Sequence, residues 1–300
     1  PKLTQAVTEQ VKHERADFVL LNGDLTYAEG HAYLWDQWMA MVETFAKRAP
    51  FFVTIGNHEQ QEGAGEWSVP VKARFAPADH SGYGGNSILW YAFDWGSVHC
   101  VVLSTEKFDN STDHFFVGGE QHAWLQAHLP KVNRSRTPFL LVFGHHPMYV
   151  PWNGSPEFPH RNDPDIAWGQ RMQAALEPLF QQHRVDVAVW AHVHTFARTC
   201  PMLNGTCVPR HQGGVRHMIV GTGGNALDRL VQRDESVHWA ERIDTVNETK
   251  FGFLRFHVAN RSAMRIDYIT TTGQADVHDT VWVRPAPLKN DDIPSWKAAA

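Results

Sequence analysis

The sequence predicts an α/β (α+β) domain in which strands and helices alternate along most of the chain. Three observations predict it. Six apolar runs rich in β-branched and aromatic residues read as buried strands. Helix-like stretches fall between them, the pattern of a layered α/β domain. Beyond about residue 250, shorter strands follow one another across Gly and Asn turns.

In chain order, Leu3 to Glu14 reads as the first helix and Phe18 to Leu21 as the first strand. Tyr33 to Lys47 is the clearest helix, with Trp35, Trp38, Met39 and Met41 as its packing residues. Phe51 to Ile55, Val98 to Leu103 and Phe139 to Phe143 are strands, and Glu120 to Leu129 is a helix. The helix Ile166 to His183 precedes strands Val185 to Trp190 and Met218 to Val220. Phe251 to Val258, Met264 to Thr270 and Thr280 to Val283 are expected to form an antiparallel edge that closes the sheets, not a separate domain. One domain is expected over residues 1–284, with residues 250–284 as its antiparallel part. A loose Pro-, Lys- and Ala-rich tail follows at 285–300. His99, His217 and His257 fall in strand patterns and read as structural; His114, His122 and His128 read as surface residues.

Composition narrows the function. A net charge of −5 does not favour a polyanion-binding surface, so nucleic acid is not expected as a main partner. No apolar run approaches the ~18 residues of a membrane span. The 19 His raise the expectation of a metal site without placing it. Cys200 and Cys207 flank a short Pro/Gly/Asn loop and are close enough to pair, whereas Cys100 lies in an apolar run and reads as a buried thiol. Asn110, Asn133, Asn153, Asn204, Asn247 and Asn260 each begin an N-x-S/T triplet, where about one match is expected by chance. That excess points to N-linked glycans and to a secreted or secretory-pathway location. The chain opens on Pro1 with no visible signal peptide, and reads as a processed or trimmed product.

The chemistry lies at the strand ends. Phe18 to Asn22 is followed by Gly23-Asp24-Leu25-Thr26-Tyr27, and Phe51 to Ile55 by Gly56-Asn57-His58-Glu59. Phe139 to Phe143 is followed by Gly144-His145-His146-Pro147, and Val185 to Trp190 by Ala191-His192-Val193-His194. Four strands each end in a small residue and then a potential ligand, where α/β sheets place their functional crevice. Singly, each piece has a plainer reading: a helix cap, a loop, a turn. Together and in order they read as one site. A carboxylate, a phenol, an amide and several imidazoles suit Fe, Zn or Mn better than Ca or a thiolate-held structural Zn.

The set GD-x-x-Y, GNHE, V-x-x-H and H-x-H, in this order, resembles the metallophosphoesterases, and the Tyr in the first motif narrows it to the purple acid phosphatases. The likeness runs over nearly the whole chain. Phe93 to His99 and Ser104-Thr105-Glu106 look like the family's strand after the GNHE loop. Gly144 to Tyr149 is similar to its G-H-x-P-M-Y segment, and Ala191 to Pro201 to the G-H-V-H-x-Y-E-R-T-C-P of larger plant-type members. Gly221-Thr222-Gly223-Gly224 and the strands after it match the family's C-terminal part. The resemblance implies a four-layer sandwich of two mixed sheets flanked by helices. It implies hydrolysis of small phosphate monoesters at acid pH by a binuclear Fe(III)–M(II) centre using metal-bound hydroxide. Asp24 would bridge the metals, and Tyr27 and His194 would bind the ferric ion. Asn57, His145 and His192 would bind the divalent metal, Zn, Mn or Fe. His58 would bond phosphate and aid the leaving group. A second catalytic His is expected after His145; His160 is the candidate and His146 the alternative. Many members dimerise, so a homodimer is a further expectation.

Departures from the family pattern shape the rival readings. The G-D-x-G motif that supplies another iron ligand is expected ahead of Pro1, outside this sequence, as is the β-sandwich domain of large plant-type members. Ala191 stands for the usual Gly, and Phe196 and Ala197 for Tyr and Glu. One alternative is a phosphodiesterase or nucleotide pyrophosphatase on the same centre. Another is an inactive fragment lacking one iron ligand. A zinc hydrolase of another kind is disfavoured by the lack of an H-E-x-x-H spacing.

Overall fold

The protein is represented by a computed structural model, which describes residues 2–60, 68–75, 83–86, 88–106, 115–150, 164–228, 237–244, 248, 250–271 and 276–286. The elements are α1 (Lys2–His13), β1 (Val19–Asn22), α2 (Ala32–Ala46), β2 (Phe51–Thr54), α3 (Asn57–Gln60) and α4 (Val69–Arg74). There follow β3 (Gly85–Asn86), β4 (Trp90–Trp95), β5 (Val98–Val102), α5 (Glu120–His128), β6 (Phe139–Phe143), α6 (Pro164–Gln182) and β7 (Val187–Trp190). The chain continues through β8 (Phe196–Leu203), β9 (Thr206–Cys207), β10 (Val215–Val220), β11 (Ala240–Ile243), β12 (Gly252–Asn260), β13 (Ala263–Thr270) and β14 (Asp276–Val283).

One large mixed sheet runs in the order β11-β8-β10-β7-β6-β5-β4-β3, with β9 paired to β8. Its centre, β5-β6-β7-β10, is parallel. A second layer holds the parallel pair β1-β2 and the antiparallel sheet β12-β13-β14. The C-terminal strands thus form a three-stranded sheet of their own, where the sequence pattern suggested an edge closing the sheets.

Period-two alternation explains the layering. Phe18, Leu20 and Phe52 from the β1-β2 layer and Met264, Ile266 and Tyr268 from β13 face Phe93, Cys100, Leu141, Phe143 and Val189 of the large sheet. The opposite faces of β1 and β2 carry Val19, Leu21 and Val53 against Trp35, Trp38, Val42 and Phe45 of α2. On its far side the large sheet packs Val101, Leu140, Val142 and Ala188 against Leu125 of α5 and Met172, Leu176 and Phe180 of α6. The result is four layers: helices, small sheets, large sheet, helices. Trp35 and Trp38 are buried, as expected of packing residues, and truncating either would cost about 3–5 kcal/mol.

Several sequence expectations need correction. Strand β8 escaped notice because FARTCPML mixes polar and apolar residues and contains Pro201, tolerated here near the sheet edge. Strands β4 and β11 were also missed as separate elements. His257 lies in β12 but is exposed. The tail begins anchored: Ala286 is buried and donates its N–H to Asp186 Oδ1 at 2.8 Å. Asp186 is fully buried and accepts further bonds from Arg134 Nη2 (2.6 Å), Leu140 N (2.7 Å) and Arg210. Cys200 and Cys207 are disulfide-bonded and Cys100 is a buried thiol. His114 lies outside the described residues.

His122 and His128 are buried, not on the surface, because both lie on the face of α5 turned inward. His122 Nε2 reaches Ala175 O at 3.2 Å. His128 Nε2 lies 2.9 Å from His99 Nε2, whose Nδ1 is 2.6 Å from Asp94 Oδ1. The two imidazoles share one proton between facing nitrogens, so a second proton has no acceptor. Burial, then the facing His99, push the His128 pKa down to about 4. His217 is buried with its Nδ1 accepting from Trp190 Nε1 at 3.0 Å, and burial pushes it down to about 3. Both are neutral in the folded chain, whereas an unfolded His titrates near ~6.5. Their contribution to stability is complete above that pH and is lost as pH falls through their folded values. The slope reaches about 1.4 kcal/mol per pH unit for each histidine. Thermal melts of His128→Gln between pH 7 and 4 should therefore show a shallower acid loss than the parent. Equal slopes would remove His128 from this account.

Candidate metal centre

The four ligand-bearing loops leave the C-terminal ends of β1, β2, β6 and β7, so they meet where the small β1-β2 sheet and the large sheet end side by side. Backbone conformation aims the side chains. Asp24 (φ 52°), Tyr27 (φ 50°) and His192 (φ 61°) all adopt the left-handed region, which costs a non-Gly residue about 1–3 kcal/mol. Ala191 is not in that region, so its methyl group causes no strain there. Glycine is required at two neighbouring positions. A Cβ on Gly23 would lie 2.6 Å from His145 Nδ1, and one on Gly56 would collide with the Asp24 carboxylate. The two loops can cross only because both are bare.

The predicted ligands come together. His145 Nε2 lies 3.2 Å from Asp24 Oδ2 and 3.0 Å from Asn57 Oδ1. His192 Nδ1 lies 3.0 Å from the same Asn57 oxygen. Tyr27 Oη lies 3.2 Å from Asp24 Oδ2 and 2.9 Å from His194 Nε2. Asp24, His145 and His192 each offer a ligand atom within 4.8 Å of the others. His58 donates its backbone N–H to Asp24 Oδ1 at 3.0 Å, and its ring packs against Tyr27 at 4.1 Å between centroids. His58 Nδ1 lies 3.2 Å from Glu29 Oε1 but off the hydrogen-bonding direction. His160 lies outside the described residues. His146, the alternative, is described: its Nε2 is 3.4 Å from buried Glu106 and its ring centroid is 3.8 Å from that of His192.

The proton inventory tests whether these groups fit a metal. His145 Nδ1 faces the Asn22 carbonyl at 2.7 Å, and His192 Nε2 faces Asp165 Oδ1 at 3.1 Å. Both are acceptors. The inner nitrogens of the same rings also face an acceptor, the Asn57 oxygen. Each imidazole would need two protons to satisfy all of these contacts. Burial, then neighbouring His146, push His192 down, so it has only one proton to offer. Burial would lower His145 too, but Asp24, by charge and hydrogen bond, lifts it to about 9. Burial alone would raise Asp24; His145 and the His58 N–H hold it well below the usual carboxylate range. Burial and then the Asp24 charge raise the Tyr27 phenol, against a hydrogen bond from Asn225. A protonated His145 meets both of its contacts, whereas His192, with one proton facing two oxygens, leaves a bare nitrogen against the Asn57 oxygen; with the Asp24 carboxylate beside them, these groups form a donor set that a cation completes.

Residues that the sequence reading passed over support the site. Glu59 is buried and accepts from Asp24 N (2.8 Å), Leu25 N (2.8 Å) and Gly56 N (3.0 Å), tying the first two loops together. Burial, then Asp24, raise its carboxyl to about 8. The GNHE motif contained this signal. Asp228 accepts from His194 N at 2.7 Å and donates its own N–H to His194 O at 3.0 Å. Asp165, from the first turn of α6, completes a second grouping of donors with His146 and His192.

Known proteins place this geometry in a family. Residues 1–196 match the calcineurin-like phosphoesterase family, and residues 214–280 match the iron/zinc purple acid phosphatase-like protein C family. Among curated proteins, the chain is 32% identical over 288 residues to probable inactive purple acid phosphatase 9 of Arabidopsis thaliana, covering 86% of this chain and 42% of that protein. It is 34% identical over 247 residues to purple acid phosphatase 18 of the same plant, covering 80% and 50%. With acid phosphatase type 7 of Homo sapiens it shares 28% over 305 residues, covering 94% and 64%. The chain thus spans about half the length of the plant relatives it matches. In fold it is similar to a purple acid phosphatase from yellow lupin (Lupinus luteus) seeds, with a TM-score of 0.78 at 24% identity over 96% of this chain and 50% of that one. Motif order, sheet order and these matches agree that the chain belongs to the calcineurin-like phosphoesterases, in their purple acid phosphatase branch.

Proposed function

We propose that this chain carries the catalytic centre of an acid phosphatase that hydrolyses small phosphate monoesters at two metal ions, Fe(III) and a divalent Zn, Mn or Fe. The observation that carries the reading is the meeting of Asp24, Asn57, His145 and His192, four potential ligands from four loops whose facing atoms converge at 3.0 to 3.2 Å. Tyr27 and His194 would complete the ferric half, where an anionic phenolate favours the trivalent state. Asp24, whose Oδ2 is 3.2 Å from both His145 Nε2 and Tyr27 Oη, would be held in common by the two halves. When bound, two such ions supply Lewis-acid polarisation of the phosphoryl group and activation of water near neutral or acid pH.

The remaining work falls to protein groups. His58 is held by its backbone bond to Asp24 and by its contact with Tyr27, leaving its ring about one-fifth exposed at the mouth of the site. It is placed to bond phosphate and to donate a proton to the departing oxygen. A second such group comes from His160 or from His146. The six glycosylation triplets and the Cys200–Cys207 bond favour a secreted protein; the three described acceptors Asn133, Asn204 and Asn260 are all exposed. No helix among the described residues is long and apolar enough to cross a membrane.

The name of the inactive plant relative favours a second reading, a chain that keeps the fold but turns over little or no ester. Two substitutions separate the readings. Asp24→Asn should lower metal content, measured by mass spectrometry, from about two ions per chain to less than one, and abolish hydrolysis. A fully active Asp24→Asn protein would sink the assignment. His58→Ala should retain its metals and lose about 10²–10⁴-fold in turnover; an unaffected rate would remove His58 from the chemistry. In the parent, p-nitrophenyl phosphate should be cleaved faster than bis(p-nitrophenyl) phosphate at pH 5. The reverse order would make the protein a phosphodiesterase.

A further inference from the structure

The outer faces of the two imidazoles on the divalent side are held differently. His145 Nδ1 rests on a neutral backbone carbonyl, Asn22 O, at 2.7 Å. His192 Nε2 instead meets a carboxylate, Asp165 Oδ1, at 3.1 Å, while its Nδ1 lies 3.0 Å from Asn57 Oδ1. A neutral imidazole has one proton to place between those two oxygens. The carboxylate is the stronger acceptor, so the proton goes to Nε2 and the lone pair to Nδ1.

Asp165 is well anchored for this task. It lies in the first turn of α6, a 19-residue helix whose N-terminal half is locked to the loops that carry the site. Gly169 packs against the backbone so closely that a Cβ there would sit 2.8 Å from Met148 O. Gln173 Nε2 donates to Met148 O at 2.7 Å, and Trp168 Nε1 donates to Thr105 O at 3.0 Å. Thr105 Oγ1 in turn accepts from the backbone N–H groups of His145 and His146, at 3.2 and 2.7 Å. The helix that presents Asp165 is therefore pinned to the same backbone that presents His145.

We propose that Asp165 is a positioning residue for the divalent half of the centre, holding His192 in the one tautomer and orientation that aims Nδ1 at the ion beside Asn57. The inference rests on the binuclear reading above. Asp165 bonds the ring of a divalent-side ligand, whereas the carboxylate on the ferric side, Asp228, bonds the backbone N–H of His194, so Asp165 should matter for the divalent ion and not for the ferric one. Partners of this kind are worth about 10–100-fold in metal affinity. A carboxylate at a helix N-terminus also favours the helix dipole, but that effect is a matter of fold stability and would not distinguish between two ions.

The test uses the 300-residue chain loaded with Fe(III) and Zn(II), as the parent and as Asp165→Ala and Asp165→Asn. Each is titrated against a zinc-buffering chelator. Zinc and iron are read by mass spectrometry, and the iron site by its tyrosinate charge-transfer band. Asp165→Ala should bind zinc about 10–100-fold more weakly with iron content and band unchanged. Asp165→Asn, which keeps an acceptor oxygen without the charge and is nearly isosteric, should fall between parent and Ala. Parent-like zinc affinity in both variants would overturn the inference while leaving the binuclear reading intact. So would loss of both ions together, which marks a support of the fold. A third ion in the parent that disappears in the variants would also overturn it, since Asp165 would then be a ligand. A parent that takes up neither ion would overturn the binuclear reading, and this inference with it.

Discussion

Glu59 makes the crossing of two loops possible. Its carboxylate is buried, yet each oxygen is used: three backbone N–H groups, from Asp24, Leu25 and Gly56, converge on it from two chain segments. A buried carboxylate without such partners would cost several kcal/mol. With them it fixes the loop after β1 against the loop after β2 at the point where neither tolerates a Cβ. Asp24, which would touch both halves of a metal centre, and Asn57, which would serve its divalent half, take their positions from that junction. The left-handed conformations at Asp24 and Tyr27 persist because the junction leaves the chain no other path.

The same junction brings two buried carboxyl groups close together. Burial and the Asp24 charge push the Glu59 carboxyl up, and without a metal Asp24 keeps its own charge by pairing with the proton on His145. The site is thus stable as a fold but unsatisfied as a set of donors. That is the arrangement expected where evolution has selected ligands for an ion and the backbone, not the ligands' mutual contacts, holds them in place. It also explains why the imidazoles depend on outer partners, a carbonyl for His145 and a carboxylate for His192. Their inner contacts cannot by themselves decide which nitrogen is bare.

Much of this was legible in the sequence because the proposed ligands are local. Each follows a strand by a few residues, so the motif and its position on the fold are read together. The outer partners are not local. Asp165 is 27 residues from His192, and Asp228 is 34 residues from His194. On the page, an Asp after Pro164 is only a helix start. His122 and His128 were misread for a related reason. Helix α5 has a mixed face, and nothing in EQHAWLQAH says that its histidines point inward until β5 supplies His99 as a partner. Glu59 is the intermediate case: present in a recognised motif, its role visible only once the two loops cross.

Each half of the proposed centre would draw on both sheets. Asp24, Tyr27 and Asn57 come from the β1-β2 layer, and His145, His192 and His194 from the large sheet. The distance between the two sets is therefore set by the packing between layers. Phe52 stacks on Phe93 at 4.1 Å with planes 13° apart, Tyr91 Oη donates to Val53 O at 2.8 Å, and Asn22 Nδ2 donates to Val189 O at 3.2 Å. Both polar contacts, and the His145–Asn22 bond, cross the gap within a residue or two of strand ends that carry ligands. An ion held by donors from both layers would clamp them together, and its binding energy would add to the stability of the folded state. Packing between the sheets and occupancy of the centre are in this way one equilibrium: whatever loosens the aromatic stack moves the ligands apart, and whatever fills the centre tightens the stack.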